Sequence, residues 1–385
     1  MRNRSAARKL PALLLAFALS GAFAQSLPEK QSVVTPPPPG PMRAYVSDIA
    51  FFHMVDGRLH VVDVEQAKYI GQIPIAFAGQ ATQSPDGKEI YVATTYYPRL
   101  SRGTRTDVVD IWDAQTLSFV SEIPIPDRRA QALNYRGMIS VSPDSRWLFI
   151  QNATPASSIS VVDLKARQMA SEIATPGCWL AIPIPGRTDR FATICGDGTM
   201  ETITLDERGA LKTRARSEPF FDADIDPIFV HGEAVGTRFH FVSFLGEVHE
   251  VDLGGDAARS VGRWSLLDDE DRRQNWRPGG YQLTALHAAS KRLYVLMHPD
   301  GEEGSHKTPA AEIWGYDLET HKRVLRMPGE TAISMTTIQG GSPRLVLLDG
   351  ETSGLVLVDV AGDKAKIIQR MDGVAETPTL VEMHQ

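Results

Sequence analysis

The sequence has 385 residues, with 47 acidic and 40 basic side chains and a formal net charge of −7. An acidic surface argues against nucleic acid as a partner and is compatible with a basic protein partner or none. No stretch approaches eighteen uninterrupted apolar residues, so no membrane span is expected.

Residues 1–24 read as an export signal. Arg2, Arg4, Arg8 and Lys9 precede the apolar run LPALLLAFALSGAFA, and Ala22-Phe23-Ala24 supplies a small-x-small cleavage pattern. Cleavage before Gln25 removes four positive charges and no negative ones, taking the formal charge from −7 to −11. In a Gram-negative bacterium the destination is the periplasm. Residues 25–42 are polar and then proline-rich, with TPPPPGP from Thr35 to Pro41. That composition favours extended polyproline geometry, so the segment is read as a flexible arm.

From residue 43 to residue 385 a β-hairpin pattern recurs, each copy an apolar alternating run, an aspartate, a short turn and a second run. It reads LHVVDVEQAKYIGQIPI from Leu59, VVDIWDAQTLSFVSEIPI from Val108 and ISVVDLKARQMASEIAT from Ile159. Weaker copies begin at Met200, Gly246, Ala311 and Gly354, and their aspartates continue the series Asp63, Asp113, Asp163, Asp206, Asp252, Asp317 and Asp359. Between the hairpins lie further strand signals, among them SPDGKEIYVAT from Ser84 and SPDSRWLFIQN from Ser142. In these a Pro-Asp turn leads into an alternating β-branched and aromatic run. A hairpin that cannot bury its apolar face alone must stack on neighbours, and a period of roughly 40 to 60 residues signals a repeat architecture. The expectation is an all-β chain folded as a seven-bladed β-propeller with four-stranded blades. The first hairpin lacks an inner strand, while ETPTLVEM from Glu376 is a strand without a blade. Pairing the N- and C-terminal strands would close the ring and remove an exposed edge.

Cys178 and Cys195 are the only cysteines, and in an oxidising compartment they are expected to form one disulfide. The enlarged loops are TTYYPRLSRGTRTD from Thr94, WSLLDDEDRRQNWRPGGY from Trp264 and HPDGEEGSHKTPAAE from His298. Long loops on a rigid scaffold are where binding tends to reside. The run Asp268 to Asp271 reads as a solvated helix start, and His298 with His306 as surface histidines rather than a metal pair. No nucleophile elbow, phosphate loop, zinc helix or haem attachment motif is present, so no catalytic residue is assigned to this chain.

The segments YVSDIAFFHM from Tyr45, SRGTRTDVVDIWD from Ser101, GCWLAIP and TICGDG around the cysteines, NWRPGGY from Asn275 and HKTPAAEIW from His306 resemble the heavy (α) subunit of tryptophan tryptophylquinone amine dehydrogenases. The likeness runs from Arg43 to Glu382. The stretches FHMVDGRLHVVD, WSLLDDEDRRQNWRPGGYQL and HPDGEEGSHKTPAAEIW are closer to the aromatic (aralkylamine) branch than to the methylamine branch. The resemblance implies a periplasmic α2β2 heterotetramer in which the quinone cofactor, tryptophan tryptophylquinone, belongs to the light (β) subunit, with no cofactor and no metal in this chain. It implies oxidation of a primary amine to aldehyde and ammonia, with electrons passing to a blue copper protein such as azurin or amicyanin. An aromatic position shortly after YVxD lines the substrate channel in that family, and the matching stretch here offers Phe51 and Phe52. Without the resemblance the pair reads as packing between blades. Two other readings are a methylamine dehydrogenase heavy subunit and a self-sufficient lactonase-like propeller hydrolase with a metal at the ring centre.

Overall fold

In the computed structural model, the described residues are 35–131, 134–362 and 364–385. The expected export signal and the first part of the arm lie outside them. Among the described residues no helix is long and apolar enough to cross a membrane.

The chain is all-β, built from antiparallel sheets whose strands follow one another in sequence. The first path holds seven strands: Pro378–Met383, Arg43–Asp48, Gly57–Asp63, Lys68–Gln83, Glu89–Tyr96, Thr106–Asp113 and Phe119–Ile125. Its long member serves two ladders, with Lys68 to Ala76 pairing Gly57–Asp63 and Phe77 to Gln83 pairing Glu89–Tyr96. Ala76 and Ala78 adopt positive φ where the strand passes from one ladder to the next. Four further sheets run Ile139–Val141 to Gln168–Ala174, Cys178–Pro183 to Leu211–Arg216, Glu233–Val235 to Arg259–Ser265, and Ala332–Ile338 to Lys366–Met371, each four-stranded. The remaining sheet pairs Arg292–His298 with Thr284–His287 and with the short Arg277–Pro278, then continues through Glu312–Asp317 to Arg323–Pro328.

Middle strands such as Trp147–Asn152 are buried throughout, whereas outer strands such as Phe119–Ile125 alternate buried and exposed side chains. This is the pattern of sheets packed face to face with their outer edges in water. The repeated aspartates cap the outer hairpins. Asp63 Oδ1 accepts from the backbone N–H of Glu65 and Gln66, Asp113 Oδ1 from those of Gln115 and Thr116, and Asp317 Oδ1 from those of Glu319 and Thr320. Each is an Asx turn, in which the carboxylate replaces a backbone acceptor and sets the hairpin. The Pro-Asp turns work alike: the Ser84 hydroxyl donates to Asp86 and accepts from Glu89 N–H.

The C-terminal strand Pro378–Met383 pairs antiparallel with Arg43–Asp48, with Val46 opposite Val381. Cys178 and Cys195 are register partners on adjacent strands and are joined by a disulfide.

Two expectations are corrected. Asp268 does cap the helix Asp269–Arg273, in a reciprocal capping box with Asp271. Asp271, however, is buried and paired with Arg323 at 2.7 Å and Arg326 at 3.8 Å, so the run is not simply solvated. His298 is also buried, 3% exposed at its strand end, rather than a surface histidine.

Candidate functional site

Within each sheet the chain steps outward strand by strand, so the connection between second and third strands falls at the same end as the connection onward to the next sheet. The aspartate-capped hairpin turns fall at the opposite end. Residues 49–56, 97–105, 299–311 and 350–354 are connections of the first kind, and residues 266–283 and 372–377 of the second. The irregular loops therefore gather on one face.

At the centre of this gathering is Asp48, the last residue of its strand and 3% exposed. Its carboxylate accepts from the backbone N–H of Ala50 at 2.7 Å, from Glu376 N–H at 2.7 Å and from Thr377 N–H and hydroxyl at 3.3 and 3.1 Å. His60 Nε2 lies 3.6 Å away. Burial alone would raise this carboxyl, but the nearby His60 ring and the hydrogen bonds from the amides of Glu376, Ala50 and Thr377 outweigh it and hold the group well below the usual carboxylate range. Asp48 thus ties the loop after its own strand to the segment entering the C-terminal strand.

That loop carries Phe51 and Phe52. Ala50 sits at φ 48°, a conformation uncommon for a non-glycine residue, and Phe51 N–H donates to Thr377 Oγ1 at 2.8 Å. The two rings meet edge to face with centroids 5.8 Å apart. Phe51 is 56% and Phe52 81% exposed, so neither packs between sheets. Both line a cavity of about 540 Å³ whose other walls include Tyr281, Lys307, Pro309 and Glu376. The Lys307 ammonium lies 5.3 Å from the centroid of the Tyr281 ring.

The glycines of NWRPGGY explain how two of these loops interlock. A Cβ on Gly279 would fall 2.9 Å from Thr308 O and 2.8 Å from the His298 ring, and Gly280 has φ +130° with Ile333 O 2.7 Å from where its Cβ would stand. Gly280 N–H donates to His306 O at 3.0 Å, so NWRPGGY and HKTPAAE pack backbone to backbone. Tyr281 and Lys307 come from segments already conspicuous in the sequence. Glu376 and Thr377 lie beside the orphan strand, and only their pairing to Asp48 reveals them. The disulfide lies outside this cavity's lining.

One consequence is measurable. Asp48→Asn puts an amide NH₂ against backbone donors, and we expect a loss of about 1–3 kcal/mol, the usual cost of an unsatisfied buried polar group. Because the folded carboxyl titrates below its ordinary 3.8, its stabilisation is complete above that value and is lost as the pH falls toward the folded value. Urea midpoints should therefore separate wild type and variant at pH 7 and converge at strongly acidic pH. A difference that is unchanged by acidification would refute the role of the charge.

A second cavity, of about 550 Å³, lies among the innermost strands and is lined in part by Arg136, His231 and Glu382. Among the described residues no three His, Cys, Asp or Glu side chains come together as a metal set.

Residues 41–384 match the protein family described as methylamine dehydrogenase heavy chain. The chain is similar to the methylamine dehydrogenase heavy chain of Methylobacillus flagellatus, 25% identical over 343 residues that cover 88% of this chain and 84% of the relative. It is 24% identical over 366 residues to that of Methylophilus methylotrophus, covering 94% and 88%. Among solved structures it resembles a putative 6-phosphogluconolactonase from Bacteroides fragilis, with TM-score 0.60, 10% identity and coverage of 89% of this chain and 98% of that one. It also resembles a β-propeller domain from Myceliophteria thermophila, with TM-score 0.54, 10% identity and coverage of 79% and 90%. At such identities the structural likeness speaks to the propeller fold alone.

Proposed function

Because this chain belongs to the methylamine dehydrogenase heavy chain family, we propose that it is the heavy subunit of an exported, periplasmic amine dehydrogenase that prefers aralkyl amines, and that Phe51 and Phe52 form part of its substrate channel. In this reading it pairs with a light subunit in an α2β2 assembly, and a blue copper protein such as azurin or amicyanin accepts the electrons. The tryptophan tryptophylquinone of the light subunit supplies the oxidising chemistry. This chain contributes a wall that positions the amine and keeps water from it.

The observation that carries the reading is the convergence of three family-like segments on one cavity: the Phe51–Phe52 loop, Tyr281 of NWRPGGY and Lys307 of HKTPAAE. Two large, half-bare rings cost apolar exposure, and contiguous exposed apolar surface marks a place where something docks. Edge-to-face aromatic contact favours a ring-bearing amine over methylamine, which has no surface to offer it. Seven four-stranded blades, with Pro378–Met383 closing the ring against Arg43–Asp48, complete this reading. It is supported by the aspartate series, by the pairing of the two termini and by the strand Lys68–Gln83 serving two ladders.

The test begins with the native protein, from which a small quinone-bearing chain should co-purify and show a visible absorbance that the heavy chain lacks alone. Activity of the heavy chain by itself would sink the proposal. In the reconstituted complex, Phe52→Ala should leave the fold intact and lower kcat/KM for an aralkyl amine relative to methylamine by roughly three- to tenfold, the size of one aromatic contact. If selectivity is unmoved, Phe52 is no part of the channel and the same measurement passes to Phe51.

A further inference from the structure

The central cavity is not used by the channel just described, yet it is built as a site. Most of its wall is apolar, with Ile139, Phe239 and Leu380 among its residues, and its charged groups are few and convergent. Arg136 Nη1 donates to Glu233 Oε1 at 2.8 Å, while its Nε stands 3.5 Å from Glu382 Oε1. One guanidinium thus faces two carboxylates. Glu233 takes the short bond, and Glu382 is left with the long ion pair and a side chain 31% exposed. Among the described residues, Glu382 has no other charged partner.

His231 lines the same cavity, is only 5% exposed, and its Nε2 has no hydrogen-bond partner among the described residues. That atom has no surface open to the cavity, so it lies behind the wall. Burial, with the positive charge of Arg136 nearby, pushes His231 down to about 3, so at neutral pH the ring carries no charge. The weakly paired Glu382 carboxylate set in apolar walls suits a small organic cation and disfavours an anion. Tyr135, also in the wall, is raised by burial and by the nearby Tyr281, the residue that lines the loop cavity.

We propose that the central cavity is a second binding site, for a primary aralkylammonium ion. Its ammonium group donates to Glu382, and its ring lies against Tyr135 and Phe239. The cationic class follows from Glu382, which keeps only the long ion pair to Arg136 while Glu233 takes the short bond. The choice of an amine rests on the amine dehydrogenase reading of the chain.

The experiment is calorimetric titration of the full heavy chain with benzylammonium chloride and, separately, with benzyl alcohol, which keeps the ring and lacks the charge. Saturable binding of the ammonium and none of the alcohol is expected. Glu382→Gln should weaken benzylammonium by roughly tenfold or more, the usual size of a charge-assisted hydrogen bond. The proposal is overturned by absent binding, by equal binding of the alcohol, or by indifference to Glu382→Gln, which would put the ion outside the central cavity. Should Glu382→Gln fail to fold, as judged by circular dichroism, the comparison of ammonium and alcohol on the unaltered chain decides. An active complex with the light subunit whose heavy chain binds no benzylammonium would discard the central site and keep the dehydrogenase reading. Binding without a light subunit partner would do the reverse.

Discussion

Deletion of the last ten residues, Glu376 to Gln385, is expected to abolish cooperative folding of the chain. A terminal segment normally tolerates removal because few contacts depend on it. This one supplies an inner strand: Leu380, Val381 and Met383 are 8%, 0% and 9% exposed, and the strand pairs along the length of Arg43–Asp48. Burying three such side chains contributes about 1.5–3 kcal/mol each. The truncation also removes the amides that hold Asp48, the acceptor of Ser334 Oγ at Thr379 O, and the acceptor of Gln83 Nε2 at Met383 O. The total rivals the 5–15 kcal/mol that holds a typical domain together. Thermal melting followed by circular dichroism should show a loss of the transition. A truncated chain that melts within a few degrees of the full one would refute both the estimate and the ring-closing role proposed for the strand.

Arg129→Met should be nearly as damaging, although nothing in the sequence around Arg129 marks it. The side chain is 1% exposed and passes beneath the bend of Lys68–Gln83. Its guanidinium donates to Ala78 O at 2.9 Å, to Phe77 O, and through Nε to Thr95 Oγ1 at 3.0 Å. Asp107 and Arg105 complete the cluster, with Arg105 Nη2 2.6 Å from Asp107 Oδ2. Burial pulls Arg129 down to about 10, still far above neutral, so the charge persists. Methionine fills the volume and leaves the strand carbonyls of Phe77 and Ala78 without this donor. Each buried acceptor left unpaired costs about 1–3 kcal/mol. Urea unfolding should show that loss in the midpoint, and a loss under about 1 kcal/mol would mean that water replaces the guanidinium.

The hairpins were legible because two local signals coincide, a period-two apolar pattern and an aspartate whose side chain makes the turn itself. Where one signal is missing the sequence is silent. The inner strands Ile139–Val141 and Glu233–Val235 have three residues each, too few to show a period. The loop site was half legible: Phe51, Phe52, Tyr281 and Lys307 stand in segments noticed for their likeness to a family, but their meeting depends on connections separated by most of the chain. Asp271 looked solvated because its partners Arg323 and Arg326 follow some fifty residues later on another strand. The charged groups of the central cavity share no motif at all. They are single residues from separate inner strands and connections, and only tertiary structure brings Arg136 to Glu233 and Glu382.

The placement of the aspartate turns at the end remote from the irregular loops has an evolutionary and practical meaning. Information that specifies the sheets and information that selects a ligand occupy separate stretches of chain, so either can drift without corrupting the other. On the channel reading proposed above, a new amine preference can arise by rewriting a few loops on an unchanged frame. For the same reason an affinity tag or surface linkage spliced into the Glu65–Gln66 or Glu319–Thr320 turn would hold the protein with its binding face outward.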